Sequence, residues 1–364
     1  MRVGIGAVIN PTGGPARYAR ELVRGLAELD EPDEYVVFTN RPRDFEVSPR
    51  VTIVEVALRS AVLEPLWDHV WMPAAAAREN LDVYHGIKGA VPLALDCPRL
   101  VTIHDLAVYA CPETFAWQQH LHMRPHLRLA ALQARRVIAD SEHARTDIQR
   151  RLRLPARRVV AVPLGVRHDT FHADIGAADE EVLRRLDLPP RFFLYSGTIQ
   201  PRKNVDVVVR AYARLGGLEG WSLVIAGRLR PDHRPSWIAD PPPGVRYLGC
   251  LADEELAVLY RHAGAFVSPS AYEGFGLTFL EAMASGCPVV GTRVTSVPEV
   301  VGDAGLLLPH ADVAMVAEAM RALAVDAELR RDLRARALER AARFTWQETA
   351  PRTQEVNREV ARHC

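Results

Sequence analysis

The amino-acid sequence predicts an α/β protein with two Rossmann-like domains in tandem, each built around a parallel β-sheet. Short apolar runs alternate with amphipathic stretches along the 364 residues, and such alternation is typical of parallel strands joined by helices. The alternation restarts near residue 190, after a polar connection that runs from Pro163 to Pro190. A chain of this length is also expected to form about two domains.

The strands are predicted from short apolar runs that are rich in β-branched residues. In the first domain they are Val3–Ile9, Tyr35–Phe38, Val51–Val56, Val83–His85, Leu100–Ile103, Val137–Ala139 and Val159–Val162. In the second domain they are Phe192–Ser196, Leu223–Ala226, Val245–Leu248, Phe266–Ser268, Val289–Gly291 and Gly305–Leu308.

The helices are predicted from apolar residues that recur every three or four positions. They are Arg17–Leu29, Gln118–Arg136 with a kink at Pro125, Val205–Leu215, Leu277–Ser285, a long segment from Asp312 to Phe344, and Trp346–Arg362. Ser141 resembles an N-cap because Glu142 follows it in the first turn of a further helix.

Composition excludes several classes of protein. The 45 Lys+Arg balance 45 Asp+Glu, whereas a nucleic-acid binder should carry a basic excess. The five cysteines are widely spaced and form no CxxC, which disfavours a disulfide framework or a zinc site and favours a reducing compartment. No apolar run approaches the ~20 residues that span a bilayer, and the apolar run at the N-terminus is too short for a signal peptide. We therefore expect a cytoplasmic protein.

The residues that follow the strands are the candidates for a ligand site, because ligands of open parallel sheets bind beyond the carboxyl ends of the strands. Two such sheets facing each other would form a cleft between the domains. Gly13-Gly14 precede a helix, and they fit either close approach of a ligand to the backbone or a tight turn. His104 follows a strand and could contact a substrate or be satisfied by a nearby backbone carbonyl. No G-x-G-x-x-G fingerprint occurs, which disfavours a dinucleotide dehydrogenase.

Two segments of the second domain carry more specific chemistry. Gly197-Thr198 follow a strand, and Arg202-Lys203 come next, just before a helix, where two cations and backbone amides suit a diphosphate. The alternative is that both cations form a solvated surface pair. Glu273 lies in a loop that contains Phe275, Gly276 and Leu277, and Glu281 comes eight positions later on a helix. Carboxylates at these positions could accept hydrogen bonds from sugar hydroxyls, or could be a cap and a surface residue.

These segments resemble glycosyltransferase family 4, whose members are retaining GT-B enzymes that use nucleotide sugars. The segment Glu273–Glu281 resembles the E-x7-E motif of the family, and Gly197–Asn204 resembles its G-T-x-x-P-R-K-N donor-phosphate segment. Thr102–Leu106 is similar to the I-H-D-L segment of mannosyltransferase-like members, and Gly13-Gly14 resembles the N-terminal glycine loop. Pro163–Val166 is similar to the P-N-G-V linker, with Leu164 in place of Asn, and Val297–Val300 also matches.

The resemblance implies a role for each matching residue. Glu273 would contact the transferred sugar, Glu281 the ribose hydroxyls, and Arg202 and Lys203 the donor diphosphate. Phe275, Gly276 and Leu277 would offer backbone N–H groups, Gly13 and Gly14 would approach the diphosphate, and His104 would hold the donor sugar. The catalytic set would be Glu273, His104, Lys203 and Arg202, and the binding set would add Gly197 and Thr198. Many members carry Arg where this chain has Thr198, so Arg202 would supply that cation.

The resemblance also implies a GT-B architecture and an activity. Residues 1–170 would form the acceptor-side domain, 171–344 the donor domain, and 345–364 a helix that crosses back to the first domain. The enzyme would be a hexosyltransferase that retains anomeric configuration and needs no metal or other cofactor. The donor would be GDP-mannose or a related sugar nucleotide, with UDP- or dTDP-sugars next, and the acceptor a glycan, a lipid-linked glycan or a small molecule.

Three alternatives remain open at this level. A sugar-nucleotide epimerase has a similar two-domain layout, although the E-x7-E motif speaks against it. A non-catalytic nucleotide-sugar-binding subunit would keep the same fold. The stretch Arg124–Arg136 places arginines among Leu and Ala residues, which fits either a solvated helix face packed on the sheet or peripheral contact with a membrane.

Overall fold

The computed structural model of the protein describes residues 1–11, 13–56, 67–216 and 218–362. The chain divides into two compact units: unit 1 contains Met1–Gly165 together with Trp346–Cys364, and unit 2 is Val166–Thr345. Each unit has its own parallel sheet, so the predicted α/β fold class is confirmed.

Unit 1 contains seven strands among its described residues: β1 (Arg2–Gly6), β2 (Glu34–Thr39), β3 (Val51–Glu55), β4 (Val83–Gly86), β5 (Arg99–Ile103), β6 (Arg136–Ala139) and β7 (Val159–Ala161). They lie in the order β3-β2-β1-β4-β5-β6-β7. The helices between them are α1 (Gly14–Glu28), α2 (Met72–Ala76), α3 (Ala107–Ala110), α4 (Trp117–Gln133) and α5 (Glu142–Leu152). A π-helical turn, Trp67–Trp71, precedes α2.

Unit 2 contains six strands among its described residues: β8 (Phe192–Ser196), β9 (Ser222–Ala226), β10 (Val245–Tyr247), β11 (Ala265–Ser268), β12 (Val289–Thr292) and β13 (Gly305–Leu308). They lie in the order β10-β9-β8-β11-β12-β13. The helices are α6 (Ala177–Arg185), α7 (Val205–Arg214), α8 (Asp253–His262), α9 (Leu277–Ala284), α10 (Val297–Val301), α11 (Val313–Val325) and α12 (Ala327–Ala341).

The strand order reverses once in each sheet. In unit 1 the reversal lies between β1 and β4, and in unit 2 it lies between β8 and β11. The connections on the two sides of such a point leave the sheet in opposite directions, and the crevice that opens there is the usual ligand site of open α/β sheets. The loops after β8 and β11 therefore flank the expected ligand site of unit 2.

The last helix, α13 (Trp346–Arg362), belongs to unit 1 and packs against α1. The two helices approach closely at Gly25, where an added Cβ would lie 2.9 Å from the Cβ of Ala350. Gln354 and Arg358 both donate to the buried Asp33 carboxylate, at 2.5 and 2.6 Å. Helix α13 is therefore part of the same compact unit as β1 and α1.

Three helix predictions need correction. The helix predicted over Gln118–Arg136 ends at Gln133, because Arg135 donates its N–H to the Arg99 carbonyl and Arg136 begins β6. The long segment after Asp312 is two helices, since Asp326 ends α11 and its carboxylate caps the N–H groups of Glu328 and Leu329. The polar connection, for which no helix is predicted, contains the helix α6.

No disulfide joins its four described cysteines, Cys97, Cys111, Cys250 and Cys287. Among the described helices, none is both long and apolar enough to cross a membrane.

Candidate functional site

The candidate site of unit 2 is formed by the loops that follow two neighbouring strands. The loop Gly197–Asn204 follows β8 and contains a 3₁₀ turn, Pro201–Lys203. The loop after β11 leads through Glu273 to α9. Because β8 and β11 pair directly, the two loops leave the same edge of the sheet side by side.

Hydrogen bonds tie the two loops together. The Arg202 guanidinium donates to the Tyr272 carbonyl at 2.6 Å, and the Ala271 N–H donates to the Arg202 carbonyl at 2.8 Å. The Asn204 amide donates to the Pro269 carbonyl at 2.8 Å. These contacts hold the cationic loop in register with the acidic one.

Arg202, Lys203 and Glu273 form a buried ion cluster. The Lys203 ammonium donates to Glu273 Oε1, and an Arg202 nitrogen lies 3.8 Å from Glu273 Oε2. Their side chains are only 13%, 12% and 6% exposed, respectively. Burial opposes ionisation of Glu273, but the charges of Lys203 and Arg202, helped by the Ser270 hydroxyl, outweigh it and lower the pKa of this carboxyl. Glu273 is therefore a carboxylate at neutral pH and can only accept hydrogen bonds.

The segment after β12 fixes the backbone around Glu273. The Glu273 N–H donates to the Thr295 hydroxyl at 2.9 Å, and the Ser296 hydroxyl contacts the carbonyls of Glu273 and Phe275 at 3.0 and 2.8 Å. Thr292 donates its hydroxyl to the Ser270 carbonyl. Sequence reasoning missed these hydroxyls, although Thr295-Ser296 directly precede the Val297–Val300 segment that resembles the family.

The N-terminus of α9 follows Glu273 of the ion cluster closely in sequence. Gly276 is its N-cap with φ of +104°, a left-handed conformation that glycine adopts without strain. Leu277 is the first helical residue, and first-turn N–H groups have no partner within their own helix. Phe275 is buried, with its ring edge-on to that of Phe344 at a centroid distance of 5.9 Å. Its ring is therefore part of the core of unit 2, and the resemblance assigns the donor contact to its backbone N–H.

Three more predicted residues of unit 2 lie near these loops in sequence. Glu281 is on α9 and is 2% exposed, so it is not the surface residue of the alternative interpretation. Gly197 donates its N–H to the Ala226 carbonyl at 3.0 Å. The Thr198 carbonyl accepts the Tyr195 hydroxyl at 3.3 Å, which fastens the start of the cationic loop to the buried end of β8.

The other predicted residues, Gly13, Gly14 and His104, belong to unit 1. Gly13 is the N-cap of α1, and its carbonyl accepts the N–H groups of Ala16 and Arg17. Its φ is +105°, and among the residues that the structure describes an added Cβ would meet no atom within 4 Å. The backbone conformation, rather than crowding, is therefore what favours glycine there.

His104 is held by acceptors on both sides of its ring. Nδ1 lies 2.8 Å from the buried Asp140 carboxylate, and Nε2 lies 2.9 Å from the Ile87 carbonyl. Burial alone would lower the pKa of the imidazole, but Asp140, Asp105 and the Ile87 carbonyl outweigh it, so the pKa of His104 is raised. Since both partners accept, the doubly protonated imidazolium fits this position best. A ligand can reach a ring nitrogen only by replacing one of these partners.

The comparisons with known proteins cover both units. The family model for glycosyl transferases group 1 matches residues 180–340, and the model for glycosyltransferase family 4 matches residues 12–170. The O-antigen chain mannosyltransferase B of Escherichia coli is 32% identical, over 94% of this chain and 95% of that protein. The chain belongs to glycosyltransferase family 4. The expectation that this protein is a hexosyltransferase is thereby confirmed.

Solved structures support the GT-B fold of this family 4 glycosyltransferase. Sucrose-phosphate synthase from Thermosynechococcus elongatus matches with a TM-score of 0.81 at 22% identity, over 100% of both chains. HepE of Anabaena, solved in complex with UDP-glucose, matches with a TM-score of 0.77 at 16% identity, over 98% of this chain and 99% of that one.

The structure of this glycosyltransferase also bears on residues outside the family motifs. Asp140 directly follows β6 and is buried. It is absent from the predicted site, although an acidic residue directly after an apolar strand is a signal that the sequence contains. Ser141, the next residue, is confirmed as the N-cap of α5, since its hydroxyl accepts the Ala144 N–H at 3.0 Å. Within the described residues, no group of three or more His, Cys, Asp or Glu side chains is arranged to hold a metal ion.

Proposed function

We propose that this glycosyltransferase moves a hexosyl group, with mannose favoured, from a nucleoside-diphosphate sugar to an acceptor hydroxyl with retention of configuration. The observation that carries the proposal is the buried cluster in which Arg202 and Lys203 hold the ionised Glu273 beyond β8 and β11. Mannose is favoured because the O-antigen relative is a mannosyltransferase and because Thr102–Leu106 resembles mannosyltransferase-like members.

The cluster suits the charge that develops during transfer. As the bond between the anomeric carbon and the diphosphate breaks, the sugar becomes oxocarbenium-like and negative charge grows on the diphosphate. Fixed cations and amide dipoles stabilise that charge without reorganisation. Arg202 and Lys203 would supply the cations, and Gly276 and Leu277 at the N-terminus of α9 would supply amides. An ammonium has three N–H donors, so Lys203 can contact Glu273 and a phosphate oxygen together.

The carboxylates would bind hydroxyls of the donor. Glu273 stays ionised because of its two cationic neighbours, so it can accept hydrogen bonds from two sugar hydroxyls. Glu281 would bind the ribose in the same way, and Gly197 and Thr198 would line the diphosphate. We propose that Gly13, Gly14 and His104 of unit 1 also serve the donor, with the His104 imidazolium contributing charge.

We propose same-face attack for the bond-making step. The acceptor oxygen bonds to the anomeric carbon on the face that the diphosphate leaves, and its proton passes to the departing phosphate oxygen. We further propose that transfer needs no metal, because Arg202 and Lys203 would neutralise the diphosphate. Chelation by EDTA should then leave the rate unchanged.

A donor screen tests the proposal. GDP-mannose should raise the melting temperature of the enzyme more than UDP-, dTDP- or ADP-glucose, by about 5–10 °C at 100-fold over its Kd. Glu281→Gln should weaken donor binding in calorimetry at least about tenfold, whereas the exposed Glu318→Gln on α11 should leave it unchanged. Equal donor affinity in Glu281→Gln would remove Glu281 from the ribose.

Turnover separates the proposal from its alternatives. With lipid-linked, glycan and small-molecule acceptors supplied in turn, the preferred donor should yield an α- or β-linked product of the same anomeric configuration as the donor. Release of a free sugar isomer without acceptor would indicate an epimerase. Donor binding with no turnover on any acceptor would indicate a non-catalytic subunit.

A further inference from the structure

Helix α4 of unit 1 turns an apolar face outward. Trp117, Leu121, Leu129 and Leu132 are 69%, 70%, 37% and 49% exposed, and Pro125 between them is exposed too. At about 100° per residue these positions fall within an arc of ~120°. The buried residues Ala130 and Ala131 lie outside that arc. Ala130, Ala131 and Leu127 pack on the core of unit 1, whereas the large apolar side chains of the arc lie on the other side of α4.

Neighbouring segments extend this face. Val70 and Trp71 are 55% and 50% exposed, and the preceding His69 has its ring 5.7 Å from that of His126 on α4. Leu93 is 40% exposed, and Arg99 donates both to its carbonyl and to the Gln133 side chain at the end of α4. Seven of the ten large apolar side chains that are exposed in the described part of the chain therefore lie on α4 or beside it.

The charges along α4 are of one sign. From Thr114 to Ala139 the sequence contains no Asp or Glu. Arg124 and Arg128 lie on α4, whereas Arg135 and Arg136 follow it, and Arg136 pairs with Glu359 of α13. Arg158 donates to the carbonyls of Ala131 and Leu132 at the end of α4, at 2.8 and 3.1 Å, and the adjacent Arg157 is exposed. The nearest acidic residue before α4 in the sequence is Glu113, which is exposed.

Single exposed apolar residues are ordinary, but a cluster of them edged by cations marks a surface that contacts something apolar and anionic. We propose that this α4 face, made of Trp117, Leu121, Leu129, Leu132, Val70 and Trp71, docks on a membrane that carries anionic lipids. The Trp rings would lie at the headgroup level, the leucines just below it, and Arg128 and Arg157 would contact lipid phosphates. The proposal does not depend on which donor or acceptor the enzyme uses.

Vesicle sedimentation of the full chain tests the docking surface. The protein should bind vesicles of phosphatidylglycerol and phosphatidylcholine and should bind pure phosphatidylcholine at least about tenfold less. The Trp117→Ser/Leu121→Ser double variant should lower binding to the anionic vesicles at least about tenfold, because it removes apolar side chains from the inserted face. Val325→Ser is the matched control, since Val325 is 70% exposed like Leu121 but lies on α11, and it should bind as the parent does.

The charge contribution is tested separately. Arg128→Gln and Arg157→Gln should each lower binding to anionic vesicles about fivefold. A higher salt concentration should reduce the difference in binding between each variant and the parent. Circular dichroism and the melting temperature should match the parent for every variant, because the altered side chains are exposed.

Two results would overturn the proposal. One is binding to anionic vesicles that neither the double variant nor the arginine variants reduce. The other is self-association of the parent in solution that the double variant abolishes, which would make the α4 face an interface between copies of the chain instead.

Discussion

Lys203 and Glu273 illustrate how one contact can serve both stability and chemistry. The pair is buried, so removing the ammonium leaves a carboxylate without its nearest cation, and breaking such pairs costs about 3–5 kcal/mol. The same ammonium is the proposed partner of the leaving diphosphate. A single substitution at Lys203 therefore mixes two effects, and a second substitution is needed to separate them.

We predict that Lys203→Ala lowers kcat/KM at least about 10²-fold, the scale of losing one group that stabilises developing charge. It should also lower the free energy of unfolding by about 3 kcal/mol, measured by urea denaturation. In the double variant Lys203→Ala/Glu273→Gln part of the stability should return, because the buried carboxylate that lost its nearest cation is replaced by a neutral amide, while transfer should stay low. Near-normal turnover in Lys203→Ala would exclude Lys203 from the diphosphate.

His104 gives a prediction about pH. Its pKa is raised in the folded protein above the ordinary value of 6.5, mainly through Asp140 acting against burial. A raised pKa means that the folded state binds the proton more tightly than the unfolded state does. The stabilisation is therefore fully present below about pH 6.5 and is lost as the pH rises through the folded pKa.

In urea denaturation, the unfolding free energy of the parent should thus fall with a slope of up to ~1.4 kcal/mol per pH unit above pH 6.5. Asp140→Asn should flatten this slope. Burial and the charge on His104 lower the pKa of His85 to about 3. His85 is therefore mostly neutral in both the folded and the unfolded protein above about pH 7, and it adds little to the slope there. Equal slopes in the two proteins would contradict a charged His104–Asp140 pair.

At the scale of elements, every predicted strand is present in the structure. Strands of a parallel sheet are buried on both faces, so they appear in the sequence as continuous apolar runs such as Phe192–Ser196 that end abruptly. Helix ends were harder to predict because tertiary contacts decide them. The predicted helix over Gln118–Arg136 stops at Gln133 only because Arg135 and Arg136 pair with β5.

Some missed elements did carry a local signal. Asp326 followed by Glu328 has the composition of a helix start, and the side chain does cap α12. Helix α6 has Asp179 and Glu180 in its first turn and Arg184 and Arg185 in its last turn, an arrangement that complements the helix dipole. Both signals were available from the sequence alone.

The sequence predicts the individual residues of the candidate site, but it does not predict which of them contact each other. Lys203 and Glu273 are 70 positions apart, and they meet because β8 pairs with β11 rather than with β10. Strand order depends on crossover connections that local patterns do not encode. The same holds for Thr295, Ser296 and Asp140, which support the predicted residues from elements that are distant in sequence.

At the scale of the molecule, unit 1 is built from two stretches of chain and unit 2 from one. The α13 helix buries Trp346, Val356 and Val360 in unit 1, each worth about 1.5–3 kcal/mol. It also supplies Gln354 and Arg358, which hold the Asp33 carboxylate. That sum is comparable with the whole stability of a domain, about 5–15 kcal/mol.

We therefore predict that a chain ending at Thr345 loses a folded unit 1 but keeps a folded unit 2. Limited proteolysis should digest residues 1–165 of the shortened chain and leave a stable fragment that begins near Val166. The matched control is the full-length chain treated in the same way, in which both units should persist. A shortened chain whose unit 1 resists the protease as well as the parent does would show that α13 is dispensable.

The same arrangement has a consequence for synthesis on the ribosome. The residues of unit 2 are translated before α13, and domains tend to fold as their chain emerges. Unit 2 can therefore reach its native state while unit 1 still exposes the surface of α1 that α13 will cover. For that interval the nascent unit 1 exposes apolar surface to which a chaperone can bind, although most of unit 1 is translated before unit 2.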